Sequence, residues 1–183
     1  MEDIVGPEKT LITATLVYPV RDVVSGDKIV SEVMLAKKLQ KIGVGHLNGW
    51  GGGVNPGESL RTCAVREFLE ETGGARVRPM DLKKVGIAHF RNCKTDGTKF
   101  TCTVHVYTVT DWEGKIVATK EMGEPAWYPI SIVETLDLMP ADKFWLPRML
   151  LGEKGVVRAE YSPRQEKLIG EVTFSKVHFG DRE

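Results

Sequence analysis

The segment from Gly52 to Gly73, G-G-V-N-P-G-E-S-L-R-T-C-A-V-R-E-F-L-E-E-T-G, leaves this chain fewer choices than any other stretch. It predicts a helix through Ser59 to Thr72, stopped by the pair Gly73-Gly74. That helix carries Glu67, Glu70 and Glu71 on one face, because residues three and four apart are helical neighbours. Glu67 and Glu71 repel at i,i+4, at a cost of roughly a few tenths of a kcal/mol. All three acids lie near the helix C-terminus, where the macrodipole disfavours anions. Arg66 relieves Glu70, but one arginine does not balance three acids. A hard dication, Mg²⁺ or alternatively Mn²⁺, reverses the sign of each of these terms, and oxygen ligands suit it. The plainer alternative is a solvated acidic face, since E-x-x-E-E is common on exposed helices. At 100° per residue, Ala64, Val65, Phe68 and Leu69 share one broad arc and the glutamates the adjoining one. The first arc is expected to bury against a sheet, the second to meet solvent or ligand.

Strands surround this helix. Leu11 to Val20 is rich in β-branched residues, and Lys28 to Ala36 follows the polar stretch Arg21 to Asp27 as its hairpin partner. Lys37 to Gly53 is crowded with glycine and reads as a loop with close backbone approaches. Leu82 to Phe90 and Phe100 to Thr110 flank a hairpin tip at Asp96-Gly97. Ala126 to Ile130 is a further strand, followed by a turn or helix near Val133 to Leu136. Phe144 to Leu151 is an apolar helical stretch with Pro147 in its first turn. Gly155 to Tyr161 and Leu168 to Val177 form a last hairpin. With no repeat or linker, the expectation is one domain over residues 1–183, of α/β (α+β) class, with a mixed sheet and a few helices.

Lysine plus arginine equals aspartate plus glutamate at 25 each, so nothing global attracts duplex nucleic acid or an anionic membrane. A phosphate-bearing ligand must be held by a local site. No apolar run reaches the length of about 18 residues that a membrane helix needs. The first ten residues lack the pattern of a secretory signal. Cys63, Cys93 and Cys102 are odd in number and contain no C-x-x-C pair, which fits free thiols in a reducing cytoplasm. A Cys93/Cys102/His89 metal site matches no defensible zinc spacing.

The run from Gly52 resembles the Nudix box, G-x5-E-x7-R-E-U-x-E-E-x-G-U, where U is a bulky apolar residue. Gly52, Glu58, Arg66, Glu67, Phe68, Glu70, Glu71 and Gly73 match, and Gly74 departs from the last apolar position. The resemblance implies a Nudix fold, a mixed sheet between helices, and hydrolysis of a nucleoside diphosphate linked to another group. It implies that Glu67 and Glu71 hold Mg²⁺, that Glu70 is a further ligand or base, and that Arg66 orients carboxylates. Glu58 would stabilise the loop–helix turn, beside the structural Gly52 and Gly73.

The likeness continues in G-x-L-N-G-W-G-G-G-V-N-P-G-E, in Lys120-Glu121-Met122 with Trp127-Tyr128, and in M-P-A-D-K-F-W-L-P. There the chain is similar to the oxidised-purine nucleoside triphosphatase branch of the family. That likeness makes Asn48 and Asp142 readers of the base, with Asp142 able to act protonated if buried. Thr15 and Phe90 would line the pocket, Lys38 would approach the phosphates, and Gly51 and Glu121 would join the metal site. Met139 stands where that branch has tryptophan, and Ala141 where it has a second aspartate. The plainer alternatives are a left-handed loop role for Asn48, a helix cap for Asp142, and core packing for Trp50, Phe144 and Trp145. The implied activity is release of a monophosphate and pyrophosphate from an oxidised purine triphosphate, clearing it from the nucleotide pool. The alternatives are a nucleotide sugar, a dinucleotide or ADP-ribose as substrate, or a nucleotide-binding module without turnover. The implied partner is the nucleotide alone, with the protein a monomer or small homo-oligomer.

Overall fold

A computed structural model describes residues 11–180, so the expectation that the first ten residues are no secretory signal lies outside the described part. The chain runs β1 (Leu11–Ser25), β2 (Lys28–Lys37), β3 (Leu47–Asn48), α1 (Leu60–Glu71), β4 (Lys83–Cys93), β5 (Lys99–Val109), β6 (Ala126–Pro129), α2 (Asp142–Leu150), β7 (Gly155–Tyr161) and β8 (Leu168–Lys176). The strands form a mixed sheet in the order β3-β2-β1-β5-β4-β7-β8, with β6 on β2. β1–β5 and β4–β7 are parallel, and the hairpins are antiparallel.

β1 is longer than its apolar run predicts. Up to Pro19 it pairs with β5, and from Val20 it pairs with β2. Proline has no N–H to give to a ladder, so the change of partner at Pro19 loses little. The polar half stays extended because its side chains pair across the hairpin: Arg21 with Glu32 at 2.7 Å, and Ser31 Oγ to Asp22 Oδ1 at 2.6 Å.

Two cores flank the sheet. Leu16, Tyr18, Leu35, Val106 and Val157 pack on one face against Trp145, Leu146 and Met149 of α2. On the other face Val17, Ala36 and Tyr107 pack against Ala64 and Phe68 of α1, with Trp50 sealed between them. Trp50 and Trp145 are therefore core, whereas Phe144, expected to be core, is 61% exposed. α2 begins at Asp142, ahead of the apolar stretch, and this places Pro147 inside it rather than in its first turn. Pro147 thus forfeits the bond that an N–H there would have made to the Lys143 carbonyl.

α1 forms where its sequence predicts. Ser59 caps it by accepting the Thr62 N–H at 3.1 Å, an interaction typically worth about 1 kcal/mol. Beyond its end Gly74 holds φ at 119°, a conformation that excludes the bulky apolar residue the motif has there.

The stretch Lys37 to Gly53 is more regular than a plain loop. Asn48 pairs with Ala36, and residues 50–54 lie along the free edge of β1. Thr15 N–H donates to Gly52 O at 2.9 Å, Val17 N–H to Trp50 O at 2.7 Å, and Val54 N–H to Thr13 O at 2.9 Å. This pseudo-strand lies between β1 and α1 and sets the floor of the site.

Candidate active site

The buried face of α1 is rotated from the apolar arc. Glu67 and Glu71 are buried at 9% and 4% exposure, while Leu69 of that arc is 36% exposed. The cause is the glycine pseudo-strand, which covers the glutamates and leaves Leu69 outside. A Cβ on Gly52 would stand 2.5 Å from the Glu67 carboxyl carbon, and one on Gly51 would stand 2.0 Å from the Thr15 carbonyl oxygen. Only a chain without side chains fits between this strand and these acids.

Each buried carboxylate has a different partner. Arg66 grips Glu58 through Nε at 2.8 Å and Nη2 at 2.9 Å. Its Nη1 reaches Glu67 at 2.6 Å and Glu70 at 3.4 Å, and Nη2 donates to the Gly53 carbonyl at 3.0 Å. Arg66 thereby ties loop to helix and holds Glu58 down to about 2. Glu58 also accepts the Asn55 N–H at 2.9 Å. Glu71 accepts the Gly51 N–H at 2.8 Å through Oε2, while its buried Oε1 has no hydrogen-bond partner. Lys38, itself buried, stands 3.9 Å from that oxygen. Burial raises the Glu71 pKa, Lys38 and Gly51 draw it back, and the charges of Glu67 and Glu121 push it up again. Glu121 bonds Lys41 Nζ at 2.6 Å, which lowers its pKa. The side chain of Glu70 is 59% exposed, and among the described residues its ion pair is the long one to Arg66 at 3.4 Å.

Among the described residues, no three acid, imidazole or thiol groups stand together as a ready cation cage. Arg66 draws on Glu67 and Glu70, and Lys41 on Glu121. The donor set nevertheless fits a hard dication. It is all oxygen, its members feel one another's charge, and it contains a buried carboxylate oxygen without a hydrogen-bond partner among the described residues. His89 donates to or accepts from Thr103 at 2.9 Å, and Cys63, Cys93 and Cys102 are free thiols.

A cavity of about 250 Å³ opens beside the acids. Thr15, Lys38, Asn48, Gly51, Phe90 and Asp142 all line it. Asn48 is in β3 with an ordinary backbone, so the left-handed role does not apply. Its Oδ1 accepts from Tyr18 Oη at 2.8 Å and from the Gly49 N–H at 2.9 Å. With that oxygen engaged, the amide N–H groups are what Asn48 has left to offer a ligand. Phe90 packs against the rings of Trp145 and Tyr161 at 6.4 and 6.2 Å. Thr15 is 1% exposed, and its hydroxyl meets Cys63 Sγ at 3.2 Å. Met139 borders the cavity, and Ala141 is fully buried with its N–H bonded to Tyr161 Oη at 2.9 Å.

Asp142 is not a helix cap, since α2 has no side-chain cap bond. Its Oδ1 accepts the Trp145 indole N–H at 3.0 Å, and burial pushes its pKa up to about 7. The folded chain therefore keeps a proton on Asp142 that the unfolded chain releases near its ordinary value of 3.8. The stability this contributes is complete below that value and is lost as pH rises through about 7. We predict that the melting temperature falls between pH 5 and pH 8 relative to that of Asp142→Asn. A constant difference between the two proteins in thermal scans across that range would refute the assignment.

Tyr18, Tyr161, Lys41, Asn92 and Gln165 belong to the site or its rim and carry no local sequence signal. Each arrives from a distant segment, and only the register of the sheet assembles them.

The model of the NUDIX domain matches residues 23–149. The oxidized purine nucleoside triphosphate hydrolase of Mus musculus is 33% identical over 67% of this chain and 74% of its own length. The protein of the same name from Danio rerio is 32% identical over 64% of this chain and 71% of its own. In three dimensions, the MutT protein of Bacillus halodurans superposes with a TM-score of 0.68 at 21% identity, covering 89% of this chain and 97% of that one. The chain belongs to the Nudix family and is a Nudix hydrolase.

Proposed function

We propose that this protein hydrolyses a nucleoside triphosphate to a monophosphate and pyrophosphate, with an oxidised purine deoxynucleotide preferred. The observation that carries the reading is one cavity running from Asn48 and Asp142 to Gly51 and Lys38, which themselves touch Glu71. A base at one end places a phosphate chain at the other. The relatives from mouse and zebrafish, named for oxidised purine nucleoside triphosphates, support the same substrate class.

Glu67, Glu71, Glu121 and Gly51 would hold Mg²⁺, or Mn²⁺ in its place, with Glu70 as a further ligand. When bound, the dication neutralises phosphate charge and makes water a better nucleophile. The chain's own groups do the rest. Lys38 and the bare backbone of Gly51 to Gly53 receive the phosphates, because no side chain blocks their approach. Arg66 fixes Glu67 and the loop carbonyl of Gly53 as one unit. Glu70, exposed and weakly held, serves either as that further ligand or as the base that takes the proton of the water attacking the first phosphorus, whose bond to the bridging oxygen breaks to release pyrophosphate. Asn48 and Asp142 grip the base. The free thiols fit a cytoplasmic enzyme whose partner is the nucleotide.

The test is a hydrolysis panel with product identification. It comprises oxidised and ordinary dGTP, a nucleotide sugar, ADP-ribose and a dinucleoside polyphosphate. The expected products are monophosphate and pyrophosphate, with kcat/KM for oxidised dGTP about tenfold or more above that for dGTP. Equal values refute the base preference, and faster turnover of a diphosphate derivative refutes the triphosphate assignment.

A further inference from the structure

Among the described residues, three that are not glycine hold a left-handed backbone: Lys41 (φ 62°), Arg164 (φ 60°) and Gln165 (φ 59°). A Cβ makes this conformation unfavourable, and it persists where the surroundings overdetermine it. All three border the nucleotide cavity or the opening that continues it past Met139. The strain collects at the mouth of the site.

Gln165 is the most tightly determined of the three. It sits in the turn between β7 and β8, its N–H bonded to Ser162 O at 2.9 Å. Its side chain lines the nucleotide cavity and meets Asn92, which is 2% exposed. The hydrogen bonds fix which way each amide faces. The Phe90 carbonyl can only accept, so the Asn92 amide nitrogen, 2.9 Å away, must donate to it. Asn92 Oδ1 then faces Gln165, whose Nε2 donates to it at 2.6 Å. What Gln165 has left is its one acceptor, Oε1, and the second N–H of Nε2. The site needs an acceptor. Asn48 has engaged its own carbonyl, and Ala141 contributes no polar side chain.

We propose that Gln165 is a specificity-determining residue whose Oε1 accepts a hydrogen bond from a ring N–H or exocyclic amino group of the substrate's nucleobase. The inference rests on the nucleotide reading above. Strain at Arg164 and Gln165 is the cost of holding that acceptor in place, with Asn92 as its anchor.

Gln165→Gly is the informative variant. Glycine accepts φ 59° freely, so the turn keeps its path while the amide is lost. Calorimetric affinities of guanosine, inosine and adenosine monophosphates are measured for wild type and variant, beside kcat and KM for the triphosphates. The expected result is a spread of affinities among the three bases that narrows by about tenfold in the variant. KM follows the affinities, while kcat and melting temperature hold. Asn92→Ala, which frees the same amide, should narrow the spread in the same direction. An unchanged spread in Gln165→Gly overturns the proposal, as does a wild type that binds all three bases equally or binds none. A lower melting temperature with the spread retained also overturns it, because the amide would then only tie the turn to the sheet. Absence of hydrolysis with a narrowed binding spread removes the proposed reaction and leaves the role of Gln165 standing.

Discussion

Gly51→Ala will cost the protein more stability than any other single methyl group in this region. The new Cβ would lie 2.0 Å from the Thr15 carbonyl oxygen and 2.8 Å from Leu16 Cα, both backbone atoms. No rotamer relieves such a contact. β1 cannot retreat, because its other edge is paired to β5 from Leu11 to Pro19. The pseudo-strand must lift instead, breaking the bonds between Val17 and Trp50 and between Thr15 and Gly52. It would also uncover Trp50, which is wholly buried, and withdraw the Gly51 N–H from Glu71. Overpacking alone costs about 1–3 kcal/mol, and loss of this backbone pairing carries the total past that range. We expect the melting temperature to drop by about 10 °C or more. Gly53→Ala is the control, since a Cβ there meets nothing within 4 Å and should change the melting temperature little. A Gly51→Ala protein that melts within about 2 °C of wild type would show that the pseudo-strand is not seated as described.

The same packing marks how far the sequence could be read. The helix from Ser59 to Thr72, its stop at Gly73 and the Arg66 and glutamate cluster were legible because their determinants are local: periodicity, spacing and a glycine pair. The hairpins at Gly26 and Gly97 were legible for the same reason. The exposure of Leu69 and the burial of Glu67 were not. Hydropathy assigns the apolar arc to the core unless something else covers the polar one, and here the cover is a backbone segment from the preceding loop. Nor does composition tell Phe144 from Trp145, which are adjacent in α2 yet 61% and 1% exposed. Helical phase settles that, and phase depended on a start at Asp142 that the apolar run does not mark. The contacts of Asn48 with Tyr18 and of Gln165 with Asn92 span 30 and 73 residues, beyond any local pattern.

Glu67→Gln will separate catalysis from folding. Glutamine keeps the shape of the side chain in the narrow space against Gly52, where a Cβ would already stand 2.5 Å from the Glu67 carboxyl. Its carbonyl oxygen can still accept from Arg66 Nη1, now 2.6 Å away. The loss of one charge-assisted bond is offset by relief of the i,i+4 repulsion with Glu71, so the net change in stability stays within roughly 1 kcal/mol. The chemistry has no such compensation. Glu67 is the anion that Arg66 presents at the loop floor, and a neutral amide neither holds a dication nor balances its charge. We expect turnover at saturating Mg²⁺ to fall by about 10²–10³-fold, with the melting temperature shifted by only a few °C. Mn²⁺ binding, followed by electron paramagnetic resonance without nucleotide, should weaken in the same variant. The two readouts decide between roles. Lost turnover with metal affinity unchanged would make Glu67 a base rather than a ligand. Turnover retained above about a tenth of wild type would remove it from the site altogether and shift the weight of metal binding to Glu71, whose buried Oε1 has no hydrogen-bond partner among the described residues.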